Sequence, residues 1–347
     1  MPLALASTSL AVASIPALIG FIPDDSLVLI TTLTNDDGTA TTGPLTRIDL
    51  SQLTAHGEDC VRQFNRQCAD LPVLCVTGIL VRTLDEDASS GEPLPMRPDV
   101  DTVVELLTEH GFTDVDLVHI PAITEGTRWR SYLDTDRTGV LPDPGTTPAA
   151  VAAVATGHTI AGSRDHLATR FTPAPGPLRA RLQSRISDAV ESAAIDVRWH
   201  LAAHVRLDRA DAAILAAAHG ELPTDDAAIV DLAATFATLP FRDALLAVLD
   251  YATRLAAESL VLHLWRHSCD PVATRLATVV AMHAYLRGDG AGARIALENA
   301  DLEQPLALLL SRMLDHAVPP SKVHHVFQNA SADARRTLLG KPAVDPA

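Results

Sequence analysis

Early in the chain, short apolar runs rich in Leu, Ile, Val and Thr alternate with longer mixed stretches, a pattern that predicts strands separated by helices. Ser26–Leu33 (SLVLITTL), bracketed by Pro23-Asp24-Asp25 and Asn35-Asp36-Asp37-Gly38, reads as a strand that runs into a turn. Pro44–Leu50 reads as a second strand, with Ser51 capping a helix to about Ala69. Leu71–Arg82, apolar and β-branched, is the expected central strand. The acidic, proline-bearing stretch Asp85–Pro98 is expected to be a surface loop, Asp99 the cap of a helix ending at Gly111, and Asp114–Pro121 a further strand.

Turn residues fill Thr138–Pro148, an Ala/Val helix is expected near 149–156, and a short helix starts at Ser163. Pro173, Pro175 and Pro177 then form a semi-rigid connector. Beyond Leu178 apolar residues recur at three- and four-residue intervals and strand signals stop. The expectation is an α/β domain over 1–172 with a mixed, partly parallel sheet and flanking helices, followed by the connector at 173–177. An all-α helical domain then fills 178–340, with a disordered tail at 341–347. Ala281, Tyr285, Gly288, Ala296, Leu297, Leu302 and Pro305 resemble a tetratricopeptide-like helix pair near the C-terminus, although no clear repeat period accompanies it.

Composition narrows the function classes. Of the 347 residues 47% are hydrophobic, so a large core is available, but no run approaches the length of a membrane span. The apolar start of the chain lacks a basic residue ahead of it and carries Pro16, which favours a place in the fold over a secretion signal. Net charge is −16, and residues 1–170 hold 10 arginines against 23 acids. A field of that sign argues against nonspecific binding to nucleic acid or to an anionic membrane. Cys60, Cys68, Cys75 and Cys269 form no CxxC pair, which suits buried reduced thiols in a cytoplasmic protein.

Several clusters are chemically suggestive. Asp25 and Ser26 open a strand and Asp49 ends the next, so an acid, a hydroxyl and a second acid form the weak catalytic set; turn stabilisation by Asp24 or Asp25 is the plainer explanation. Trp129, Arg130 and Arg164 are the candidate ligand-binding residues, with solvent-facing arginines and a local salt bridge as the alternatives. Asp196-x3-His200-x3-His204-x3-Asp208 and His263-x3-His267 each set two imidazoles on one helix face, where a divalent ion could bind; neither has the HExxH form. Fourteen histidines in the chain, nine of them in the helical half, also produce such pairs by chance, so no cofactor is expected. Gly288-Asp289-Gly290-Ala291-Gly292, beside Arg287 and Arg294, reads as a helix-turn-helix corner capped by Asp289 more readily than as a phosphate cradle.

Ile15–Val28 (IPALIGFIPDDSLV), Arg47-Ile48-Asp49-Leu50, Gly157 with Ser163-Arg164 and Leu167, and Leu286–Leu297 (LRGDGAGARIAL) together resemble the actinobacterial domain-of-unknown-function 4192 family. The resemblance implies a fold and an actinobacterial origin and no particular activity. With no catalytic signature, the expected role is that of an interaction or adaptor protein with a protein partner. An enzyme or small-ligand binder with a pocket at the strand ends and a metal-binding helical domain are the alternatives.

Overall fold

The computed structural model describes residues 7–83, 94–155, 157–199, 202–245 and 251–340. The chain divides into two compact units, Met1–Leu167 with Asp315–Ala317, and Ala168–Leu314 with Val318–Ala347. The expected tail at 341–347 lies outside the described residues.

The first unit contains α1 (Thr8–Ile19), β1 (Ser26–Thr34), β2 (Ala40–Asp49), α2 (Leu50–Cys68), β3 (Val73–Val81) and α3 (Arg97–Glu109). β4 (Val115–Ile120), β5 (Arg128–Ser131), β6 (Thr138–Val140), α4 (Pro148–Ala155) and α5 (Arg164–Ala168) follow. The six strands form one mixed sheet in the order β2-β1-β3-β4-β5-β6. β3 and β4, joined through α3, are parallel, and the other neighbours are antiparallel. Period-two alternation sorts the side chains onto two faces. Leu27, Leu29, Val76, Leu80 and Leu117 pack with Val61 and Phe64 of α2 and Val103 and Leu107 of α3. Val28, Ile30, Ile79, Val81, Val118 and Ile120 pack under Val12 and Ile15 of α1.

Local chemistry explains the boundaries. Ser7 accepts from the Leu10 amide at the start of α1, Pro16 is accommodated inside it, and Gly20, at φ 84°, ends it with its amide on the Pro16 carbonyl. Gly78 leaves room for Leu117, because a Cβ there would stand 2.7 Å from the Leu117 Cγ. Two expected caps differ. α2 starts after Asp49 rather than Ser51, and α3 starts after Met96 in a left-handed conformation, which leaves Asp99 in its first turn. β6 lies in the stretch that reads as turn residues; Gly139 pairs there with Trp129 and a Cβ on it would meet the indole at 2.7 Å.

The second unit holds α6 (Gly176–Trp199), α7 (Ala203–Ala218), α8 (Asp226–Ala237), α9 (Leu239–Leu245), α10 (Tyr251–His267) and α11 (Val272–Leu286). It ends with α12 (Gly290–Leu297), α13 (Pro305–Asp315) and α14 (Pro320–Leu338). Its core is one continuous apolar cluster that includes Phe236, Phe241, Leu260, Leu276 and Leu310. The unit begins ahead of the prolines because the residues just after Leu167 are fastened to α10. The Arg170 carbonyl accepts from Arg266, the Ala174 amide donates to the Arg266 carbonyl, and Phe171 meets Trp265 edge to face at 4.9 Å. Between α11 and α12, Asp289 accepts from the Gly292 amide at 2.7 Å and forms the expected capped corner. Among the described residues no helix is long and apolar enough to cross a membrane.

Candidate functional site

Antiparallel pairing places Ser26 opposite Asp49 on β2 and opposite Val81 at the end of β3, so the start of β1 meets the carboxyl end of the parallel strand pair. Asp25 sits one residue earlier with φ 33°, a backbone state uncommon for residues other than glycine, and its carbonyl accepts from the Leu50 amide at 3.0 Å. Gly20 and Ile22 exchange backbone hydrogen bonds with Ala161, which brings the chain leading into Ser163-Arg164 alongside the turn before β1. The segments Ile15–Val28, Arg47–Leu50 and Ser163–Arg164 thus meet at one end of one sheet. Asp25, Ser26 and Asp49 lie together there, with Arg164 in the adjoining segment at the first position of α5.

On the α1 face of the sheet Ser26 is fully buried and its Oγ has no hydrogen-bond partner. Arg47 stands two residues before Asp49 and shares that face. One end of its guanidinium donates to Asp49 Oδ1 at 2.7 Å and its carbon lies 5.5 Å from the Phe21 ring, while its buried Nε has no partner. Two buried donors therefore go unmet on neighbouring strands. A serine nucleophile needs a hydrogen-bonded base, and Ser26 Oγ has none. On the opposite face, His119 is buried with Nε2 2.9 Å from the Arg82 carbonyl, and burial lowers its pKa.

The other sequence-derived candidates are dispersed. Trp129 is buried in the core beneath α1 and donates from Nε1 to Ser9 at 2.9 Å. Arg130 pairs with His119 across β4 and β5 and is half-buried. His200 lies outside the described residues, His204 is exposed, and Asp196 accepts from Arg206 Nε at 2.6 Å. The His263 and His267 rings lie side by side, tilted by 49° with centroids 4.5 Å apart. His263 directs Nε2 to the Pro223 carbonyl and His267 directs Nδ1 to the His263 carbonyl, each at 2.8 Å. A carbonyl only accepts, so each of those nitrogens carries a proton and is closed to a metal. Among the described residues no three His, Cys, Asp or Glu side chains gather as a metal site.

Several polar centres are not singled out by residue type alone. Glu258 is fully buried on α10, bound by Arg287 at 2.8 Å and Arg170 at 2.5 Å; Arg287 also reaches Asp289 at 3.0 Å. Arg206 joins Asp196 and Asp231 in the same unit. Sequence separations of 29 and 88 residues hide the Glu258 pairings from any local pattern. Arg47 carries a visible signal, an arginine two residues from an acid on a strand, so both side chains leave by one face.

No curated protein and no solved structure matches the chain. The family model described as domain of unknown function (DUF4192) matches residues 10–321, which takes in every segment that meets at the sheet end. The chain belongs to the DUF4192 family.

Proposed function

We propose that this protein binds a small zwitterionic molecule at the carboxyl end of the β3–β4 pair. The ligand's acceptor group takes the Ser26 hydroxyl and the Arg47 Nε proton, and its cationic group meets Asp25 or Asp49. The observation that carries this reading is the pair of buried, unpartnered donors on one sheet face. An unmet buried polar group costs about 1–3 kcal/mol, which binding would recover. The position is also where open α/β sheets gather ligands.

Thermal unfolding of the purified chain with a panel of free amino acids at millimolar concentration tests it. At least one should raise the melting temperature by several degrees, and Arg47→Gln should remove the effect. A flat panel would overturn the reading, as would a high-resolution crystal structure with one ordered water bonded to both Ser26 Oγ and Arg47 Nε.

A second reading, an adaptor with a protein partner, draws support from α4, where Val151 and Val154 are 59% and 68% exposed on one helix face. Val154→Asp should abolish recovery of a co-purifying partner from the native host; recovery of the wild-type chain alone would count against this role. The four free thiols support a reducing, cytoplasmic location for either role.

A further inference from the structure

At the opposite end of the same sheet, the last turns of α2 and α3 and the start of β3 enclose an open cleft of about 630 Å³. Its walls include Arg62, Asn65, Arg66, Cys68, His110 and Phe112. Asn65 stands out because the helical period of α2 places it beside Val61, Phe64 and Cys68, a position for an apolar residue. It is 9% exposed, and neither Nδ2 nor Oδ1 has a hydrogen-bond partner. A carboxamide kept in a core position with a donor and an acceptor both unmet points to something outside the fold that pairs with it.

The remaining walls describe that partner. Arg62 is held by Glu58 and Asp59, whereas exposed Arg66 has no acid partner among the described residues and is the cation open to an anion. His110 Nδ1 lies 2.7 Å from the Leu106 carbonyl, which only accepts, so that nitrogen carries a proton. Phe112, braced by Phe64 at 6.1 Å between centroids, supplies an apolar wall with Leu71 and Val73. Burial raises the pKa of the Cys68 thiol to about 11, so it stays protonated and contributes bulk rather than charge.

We infer that this cleft is a second ligand site, for a small organic anion whose uncharged body carries a donor–acceptor edge. The edge pairs with the Asn65 carboxamide, the body lies on Phe112 and the anionic group reaches Arg66. Nucleoside monophosphates have all three features and an appropriate size.

Calorimetric titration of the full chain with uridine monophosphate and adenosine monophosphate tests the inference, with uridine and inorganic phosphate as separate arms. At least one nucleotide should bind more tightly than either fragment. Arg66→Gln, on an exposed side chain that the fold does not need, should weaken nucleotide binding about tenfold and spare uridine, the loss expected for one charge-assisted contact. Asn65→Leu, which keeps side-chain bulk, should weaken nucleotide and uridine alike and leave phosphate unchanged. Absence of binding by both nucleotides would overturn the inference, as would binding that neither variant changes or affinity for uridine equal to that for its phosphate.

Discussion

The two units bury polar chemistry in different ways. In the helical unit two buried networks pair opposite charges, Glu258 with Arg287 and Arg170 and Arg206 with Asp196 and Asp231, while the fully buried His283 ring makes no hydrogen bond from either nitrogen. In the α/β unit, Ser26 Oγ, Arg47 Nε and the Asn65 carboxamide are buried without partners, and all three sit at sheet or helix ends. Paired burial holds helices to one another and is best read as architecture, since loss of either partner strands a charge. Unpaired burial stabilises nothing by hydrogen bonding in the free protein, and where it borders a cleft or a sheet end, as at Asn65 and Ser26, it is the better marker of a binding surface.

The largest test of this contrast is Glu258→Ala. It removes the buried carboxylate that Arg287 and Arg170 share, and urea unfolding should show a loss of about 3–5 kcal/mol; a loss under about 1 kcal/mol would mean the network contributes no cohesion. Next is the pH dependence. His283 is fully buried, and desolvation, with Arg254 and Arg287 nearby, lowers its pKa to about 3. Its folded pKa lies below the unfolded value of about 6.5, so the unfolded chain takes up the proton first. The stability tied to the neutral ring is complete above that value and is lost as pH falls from about 6.5 towards 3. Replacement of His283 by Leu should flatten the stability–pH curve there by up to about 1.4 kcal/mol per pH unit; an unchanged slope would remove His283 as its source. The smallest effect has the opposite sign. Ser26→Ala deletes an unmet hydroxyl and should leave the ligand-free chain equally stable or up to about 1 kcal/mol more so. A clear destabilisation would show that Ser26 has a structural partner.

Individual elements show how far local pattern reaches. The strands at Ser26–Thr34 and Val73–Val81 are legible because β-branched runs between turn residues suit a buried sheet. The Asp289 corner is legible because capping acts over three residues. α3 starts two residues before Asp99 because Met96, in a left-handed state, turns the chain into the helix, and no propensity announces that conformation. β6 is too short for alternation to register, and the fit of Gly139 against Trp129 holds it in place. The His263–His267 pair shares a face as its spacing dictates, but backbone carbonyls, which have no sequence signature, occupy a nitrogen of each ring.

Taken by itself, the order of residues determined the division into a sheet-bearing part and a helical part, and with it most strands and helices, because hydrophobic period and caps act within a few residues. It also placed Asp25, Ser26 and Asp49 at strand ends. Tertiary structure alone decided that Ser26 Oγ and Arg47 Nε are buried without a partner, that Asn65 looks into a cleft between two helix ends, and that Glu258 meets Arg170 and Arg287. Whether a buried polar atom has a partner depends on groups far away along the chain, and only the folded packing brings those groups within hydrogen-bond reach.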